Sequence, residues 1–71
     1  MLAEEVFAKR IKELRIDKRL SQQELADKVD LTQRKVSKLE TLQLIPSPQV
    51  IVNIAKCFEV SADYLLGLVD Y

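Results

Sequence analysis

Residues 33–38 carry side chains whose types and spacing suit contact with a polyanion. Gln33, Arg34, Ser37 and Lys38 fall on one face of a helix. With Val36 and Leu39 directed inward, that face points to solvent. An amide and two cations are the groups that read adenine and guanine edges in the major groove of DNA. A solvated basic helix face would use the same residues, so the segment alone leaves both interpretations open.

The distribution of charge adds to this observation. Arg34 and Lys38 stand four residues apart, a like-charge spacing that destabilises a helix by about 0.2–0.5 kcal/mol. Residues 1–38 carry ten Lys and Arg against seven Asp and Glu, whereas residues 39–71 carry one against four. The net charge of the chain is zero, but its first half is basic. This asymmetry indicates an anionic partner for the first half.

A second group of cations lies near the start of the chain: Lys9, Arg10, Lys12, Arg15, Lys18 and Arg19. These side chains could contact phosphates or form a solvated face, and Lys9 and Lys12 fit the solvated alternative better. We assign Arg10 to phosphate. Arg15 flanks an apolar stripe, so we expect it to have an internal carboxylate partner.

The side chains on which most enzymes depend are scarce. The chain has no histidine and one cysteine, Cys57. Candidate nucleophiles such as Cys57 and Ser37 therefore lack a histidine to activate them, and we expect no enzymatic activity, metal or cofactor. A lone thiol forms no internal disulfide and fits a reducing cytoplasm.

The scaffold that positions these groups is predicted to be all-α. The 71 residues, 48% apolar and 31% charged, suffice for one domain with one small core. One glycine and two prolines leave few helix breakers. Five helices are predicted. Four of them cover residues 3–18, 22–29, 33–40 and 48–58, and the fifth begins after Ser61 and is ended by Gly67. Residues 1–71 thus form a single domain, with a helix-turn-helix at about 21–40.

Capping residues set the predicted boundaries. Ser21 and Glu24 form a capping box, while Thr32, Ser47 and Ser61 are N-cap residues. Apolar side chains at helical spacing form the predicted core: Leu2, Val6, Phe7, Ile11 and Leu14; Leu25, Ala26 and Val29; Val36 and Leu39; and Val50, Ile51, Ile54, Ala55 and Phe58. Cys57 is expected within or beside this core.

From residue 10 to residue 67 the chain resembles the lambda-repressor-like helix-turn-helix family (XRE family). The matching stretches are Arg10-Ile11-Lys12-Glu13-Leu14-Arg15, Leu20-Ser21-Gln22-Gln23-Glu24-Leu25-Ala26, Val36-Ser37-Lys38-Leu39-Glu40, Pro46-Ser47, Ile54-Ala55-Lys56 and Val60-Ser61-Ala62-Asp63-Tyr64-Leu65-Leu66-Gly67. They occur in the family's order and spacing. The resemblance implies a compact five-helix domain that binds operator DNA, usually as a symmetric dimer.

The resemblance also implies roles for individual residues. By position, Gln33, Arg34, Ser37 and Lys38 match base-reading positions. Gln22 and Lys35 match phosphate-contacting positions, and we add Thr32 and Arg10 to the phosphate group. Arg15 and Glu40 match a structural ion pair between the first helix and the end of the third. Ala26 matches a position where two helices cross closely.

Two departures from the family pattern stand out. Asp30 occupies the turn position where the family has glycine, and we expect it to adopt the left-handed conformation at some cost in stability. The loop after the third helix lacks the family's glycine and cation and instead carries Leu42, Leu44 and Ile45. Either this loop packs back onto the core, or its apolar side chains contact a protein partner.

The leading hypothesis is a sequence-specific DNA-binding regulator, expected to be a repressor. We expect it to be a bacterial or phage protein that is cytoplasmic and associated with the nucleoid. It would bind a near-palindromic operator as a weak dimer, with a candidate contact formed by Leu66, Leu68, Val69 and Tyr71. Alternatively, those C-terminal residues only close the core. The second hypothesis is a protein-interaction or antitoxin-type module with little or no DNA binding.

Overall fold

The computed structural model describes residues 2–71, and they form five helices. The helices are α1 (Ala3–Asp17), α2 (Gln22–Val29), α3 (Gln33–Glu40), α4 (Pro48–Phe58) and α5 (Ala62–Leu65). α2 packs on α3, α1 crosses α3 and meets α5, and α4 lies against α2 and α5. None of the described helices is both long enough and apolar enough to cross a membrane. The predicted all-α fold is confirmed.

Four of the five helices begin at a hydroxyl side chain that accepts a hydrogen bond from a backbone amide of the first turn. The amide of Glu24 donates to Ser21, that of Lys35 to Thr32, that of Val50 to Ser47 and that of Tyr64 to Ser61. At Ser21 the capping box is complete, because its own amide donates to the Glu24 carboxylate at 2.8 Å. That hydrogen bond holds the pKa of Glu24 below its ordinary value. Such caps satisfy amides that have no partner within the helix.

Left-handed residues end several of these segments. Asp30 follows α2 at φ 60°, as its turn position predicts, and Glu59 follows α4 at φ 56°. Gly67 adopts φ 83° just after α5, which confirms its predicted place at the helix end. A Cβ atom on Gly67 would lie 2.9 Å from Val6 Cγ1, so this glycine also permits close packing of the chain on α1. Arg19 and Leu42 share the left-handed conformation, at φ 57° and 64°.

The core contains most of the predicted inward positions. Its buried members are Phe7, Ala8, Ile11, Leu25, Ala26, Val29, Val36, Leu39, Ile54, Phe58 and Leu65. The helix-spaced positions Leu14, Val50, Ile51 and Ala55 are partly buried against it, and so is Cys57. Leu2 is an error in the prediction: it is 66% exposed, because it precedes the first turn of α1 and extends past the edge of the core.

Candidate nucleic-acid interface

α2 and α3 form a helix-turn-helix through a three-residue connection. Asp30 turns the chain in its left-handed conformation, and the amide of Leu31 donates to the Ala26 carbonyl at 2.9 Å. Thr32 then caps α3. Ala26, in the last part of α2, is completely buried in the core. The connection therefore fixes the direction in which α3 leaves α2.

The outward face of α3 carries the residues predicted to read bases. Gln33 and Arg34 are exposed, while Ser37 and Lys38 are half-buried. Val36 and Leu39 point the opposite way, at 1% and 2% exposure, which orients the polar face outward. Within residues 2–71, the side chains of Arg34 and Lys38 form no ion pair. Their donors are therefore available to a partner.

Gln33 is joined to Gln22 at the start of α2. The Nε2 atom of Gln33 donates to Oε1 of Gln22 at 2.6 Å. The Nε2 atom of Gln22 in turn donates to Oε1 of Glu40 at 3.2 Å. The sequence predicts separate roles for these two glutamines, in phosphate contact and in base reading, and gives no sign of the contact between them. That contact links the starts of α2 and α3 to the end of α3.

Arg15 and Glu40 form the ion pair that the family resemblance implies. The guanidinium binds the carboxylate through two donors, Nε to Oε2 at 2.7 Å and Nη2 to Oε1 at 3.0 Å. Its third donor, Nη1, reaches the carbonyl of Leu20 at 2.9 Å. The side chains are 13% and 2% exposed, so the pair is largely shielded from water. It joins α1, the α1–α2 connector and the end of α3.

Arg10 does not fit its assignment to phosphate. Its guanidinium lies 4.3 Å from the centre of the Tyr64 ring and donates to the carbonyls of Tyr64 and Val69. The Asp70 carboxylate lies 3.6 Å from the same guanidinium. These contacts turn the side chain toward the C-terminal segment, with 18% of it exposed. We therefore reassign Arg10 to holding that segment on α1.

The other phosphate candidates cluster at two helix starts. Gln22 is the first residue of α2, Thr32 caps α3, and Lys35 lies in the first turn of α3. Thr32 and Lys35 are exposed. Unpaired amides and the positive end of the helix dipole occur at such helix starts, and both favour anions.

The loop between α3 and α4 exposes its apolar side chains. Leu42 is 54% exposed, Leu44 38% and Ile45 75%. Leu2, at 66% exposure, joins them, and Glu4 and Glu5 complete the lining of a shallow depression. The alternative in which this loop packs back onto the core is thus wrong for most of its apolar surface. We call Leu2, Leu42, Leu44 and Ile45 the apolar patch.

The candidate dimer residues divide into two kinds. Leu68 and Tyr71 are 72% and 90% exposed, whereas Leu66 and Val69 are half-buried. Leu66 packs against the core. The exposed pair is free to contact a second molecule, while the half-buried pair already has contacts within the chain.

The fold and the α2–α3 geometry define the class of protein, and comparison with known proteins agrees. The model of the helix-turn-helix family, in its XRE-type form, matches residues 11–65, so the chain belongs to this family. It is 34% identical over 61 residues to the uncharacterized HTH-type transcriptional regulator YqaE of Bacillus subtilis. It is 29% identical over 65 residues to the uncharacterized HTH-type transcriptional regulator YobD of the same organism.

These relatives are longer than the chain. The first match covers 86% of the chain and 53% of YqaE, and the second covers 92% of the chain and 58% of YobD. The chain therefore spans a little over half the length of the curated relatives that it matches.

Proposed function

We propose that the chain binds double-stranded DNA in a sequence-specific manner and regulates transcription, with α3 placed in the major groove. The observation that carries this proposal is the outward face of α3. There an oriented amide and two cations, which form no ion pair with any of residues 2–71, stand beside the capped starts of α2 and α3. The family membership and the names of both relatives support the same function.

Each side chain on the face suits a particular contact. Arg34 and Lys38 can donate to O6 and N7 of guanine, which is the commonest specific contact in the major groove. Gln33 retains one acceptor and one N–H donor after its bond to Gln22, the combination that adenine requires. Ser37 can donate or accept from its half-buried position between them.

Phosphate contacts would set the register of α3 on the duplex. Gln22, Thr32 and Lys35 supply an amide, a hydroxyl and a cation at two neighbouring helix starts. Such contacts hold orientation but carry no sequence information. The loop with the apolar patch supplies no cation, so few charged groups contact the DNA backbone on that side.

A dimer would place two copies of α3 in successive major grooves about 34 Å apart, on a near-palindromic operator. Leu68 and Tyr71 are the exposed members of the candidate contact, with Leu66 and Val69 behind them. Their small number predicts a weak dimer that forms mainly on DNA. The expected effect is repression, in the cytoplasm of a bacterium or phage host.

Binding-site selection from a random duplex pool tests the proposal. The wild-type chain should enrich a near-palindrome at about 0.15 M salt, where surface charges more than about 8 Å apart are screened. Arg34→Ala and Lys38→Ala should each cost about 1–3 kcal/mol on the selected site and relax its sequence there. Lys56→Ala, on the exposed side of α4, is the matched control and should leave the selected sequence unchanged.

Two results would count against this function. Equal loss on selected and scrambled DNA would make Arg34 and Lys38 phosphate contacts only. No enrichment by the wild-type chain would contradict sequence-specific binding.

The apolar patch favours one second candidate, a protein-interaction or antitoxin-type module. Its side chains are too exposed to serve the core, and Glu4 and Glu5 border them. A Leu42→Gln, Ile45→Ser double variant should then lose a protein partner that the wild-type chain binds, while its melting temperature stays close to wild type. If the same double variant enriches an operator as strongly as the wild-type chain does, the patch is not needed for DNA binding.

A further inference from the structure

The hydrogen bonds that join the α3 face to the core have a fixed direction. They begin at the Glu40 carboxylate, which is 2% exposed and, when ionised, can only accept. One of its oxygens, Oε2, receives Nε of Arg15 at 2.7 Å. The other, Oε1, receives Nη2 of Arg15 at 3.0 Å and Nε2 of Gln22 at 3.2 Å. An acceptor at this position requires Gln22 to present its NH2 group.

That requirement passes along the side chains to the surface. With its NH2 group on Glu40, Gln22 turns its Oε1 atom toward α3. Gln33 must then present its own NH2 group, and it does so at 2.6 Å. What remains for a partner is the Oε1 acceptor of Gln33 beside its second N–H donor, which complements N6–H and N7 of adenine.

We propose that Glu40 is a positioning residue for base reading, because its carboxylate determines, through Gln22, which way the amide of Gln33 points. The inference rests on the proposed function. It gives the Arg15–Glu40 pair a second role besides joining α1 to α3. It also assigns adenine rather than guanine to the base pair that Gln33 contacts.

Replacing the Glu40 carboxylate with an amide reverses the direction of the hydrogen bonds from residue 40 through Gln22 to Gln33. In Glu40→Gln, an amide oxygen at the Oε2 position keeps Nε of Arg15, the shorter of the two Arg15 contacts. The new NH2 group then takes the Oε1 position, where it displaces Nη2 of Arg15 and faces Gln22. Gln22 then accepts from residue 40 and donates to Gln33. Gln33 in turn accepts from Gln22 and directs N–H donors outward, which suits O6 and N7 of guanine.

The test compares dissociation constants on two duplexes that differ only in the base pair read by Gln33. Binding-site selection identifies that base pair, because it is the operator position at which Gln33→Ala loses the sequence preference of the wild-type chain. The wild-type chain should prefer adenine by about fivefold or more, and Glu40→Gln should lose that preference or move it toward guanine. Arg15→Lys breaks the two-donor contact but leaves the carboxylate, so it should lower the melting temperature and keep the adenine preference.

A second pair of variants keeps the ion pair intact. Gln22→Leu cuts the connection between Glu40 and Gln33 and should lower the adenine preference by about fivefold with little change in melting temperature. Gln23→Leu is its matched control, because the Gln23 side chain donates to Asp27 on the outer, exposed side of α2. This control should keep the preference. Without DNA, the side-chain NH2 signals of Gln33 in NMR spectra should move in Gln22→Leu and stay in place in Gln23→Leu.

The outcomes separate this inference from the proposed function. If the wild-type chain selects no sequence, the proposed function fails, and this inference fails with it. If the wild-type chain selects an operator but Glu40→Gln and Gln22→Leu keep the same base preference, only the role of Glu40 is overturned. Equal weakening on both duplexes would likewise reduce Glu40 to a structural residue.

Discussion

At the residue scale, Arg15 makes the contacts on which several segments depend. It binds both oxygens of Glu40 and the carbonyl of Leu20 from a position that is 13% exposed. Removing one member of a shielded ion pair leaves the other charge without a partner, which costs about 3–5 kcal/mol. For a domain of this size, that approaches the whole free energy of unfolding.

Arg15→Ala should therefore lower the melting temperature more than any other single Lys or Arg to Ala change. Thermal unfolding of the full set of variants checks this, with Lys12→Ala on the exposed side of α1 as a control. The double variant Arg15→Met, Glu40→Leu removes both charges and should recover much of the loss. An unchanged melting temperature in Arg15→Ala would show that the pair contributes nothing to stability.

At Asp30 the backbone conformation itself lowers the stability of the domain. It holds φ 60° after α2, a region where residues with a Cβ are strained by about 1–2 kcal/mol and glycine is not. Asp30→Gly should raise the free energy of unfolding by up to about 1 kcal/mol, because part of the relief is offset by the greater freedom of glycine in the unfolded chain. Chemical denaturation measures this change.

A nearby aspartate supplies the control for that substitution. Asp27 lies inside α2 and is exposed, so Asp27→Gly should destabilise the domain. Glycine costs a helix about 0.3 kcal/mol more than aspartate, and the hydrogen bond from Gln23 is lost as well. If both glycine variants lost stability to the same extent, the left-handed conformation of Asp30 would carry no strain.

At the scale of helices, sequence and structure agree best where the signals are local. The hydroxyl caps are Ser21, Thr32, Ser47 and Ser61. Each accepts a hydrogen bond from an amide only three residues further along, so the sequence alone predicts these caps. The α3 and α4 bounds match the prediction at both ends. The family resemblance supplied the Arg15–Glu40 pair, which no local pattern contains.

Contacts between distant segments were the part that the sequence could not supply. Arg10 meets Val69 across 59 residues, and Gln22 meets Glu40 across 18. A list of cations does not reveal that one of them is enclosed by carbonyls and a tyrosine ring. For this reason the prediction that Arg10 contacts phosphate is wrong, and the contact between Gln22 and Gln33 has no signal in the sequence.

The Arg10 contacts hold α5 and the C-terminal segment on α1. Arg10→Ala removes a charged hydrogen bond to Val69 and a contact with the Tyr64 ring, each worth about 1 kcal/mol or more. The amides of Gly67 and Leu68 should then exchange with solvent about tenfold faster, since a change of about 1.4 kcal/mol corresponds to a factor of ten.

Hydrogen exchange followed by NMR measures this effect residue by residue. Amides in α2 and α3 should keep their protection in Arg10→Ala relative to the global stability of the variant. Arg10→Lys keeps the charge but loses the planar group and should behave almost like the alanine variant. A uniform rise in exchange across all helices would mean that Arg10 supports the whole domain rather than its C-terminal segment.

At the scale of the whole molecule, the neutral charge limits how the chain can hold DNA. Lys35 is the single cation among the remaining phosphate candidates, and the loop after α3 adds none. A dimer bound through two copies of Lys35 should show a slope of about −2 when the logarithm of the binding constant is plotted against the logarithm of the salt concentration. Much of its affinity must then come from base contacts.

Gln43→Lys restores a cation to the loop and should steepen that slope by about 0.9 for each protomer. Binding titrations over a range of salt concentrations on the selected operator give the slope. Lys56→Gln, on α4, changes a cation outside the proposed interface and should leave the slope as it is. A wild-type slope near −10 would contradict the limited set of phosphate contacts proposed for this chain.

The hydroxyl caps have a consequence for how quickly the native state is reached. Because α2, α3, α4 and α5 each begin at a side chain that bonds within its own first turn, their starting points are defined before distant segments meet. Small helical domains with mostly local contacts fold in microseconds to milliseconds. The slower step should be closure of α5 onto α1, which is where Arg10 and Gly67 bring the two ends of the chain together.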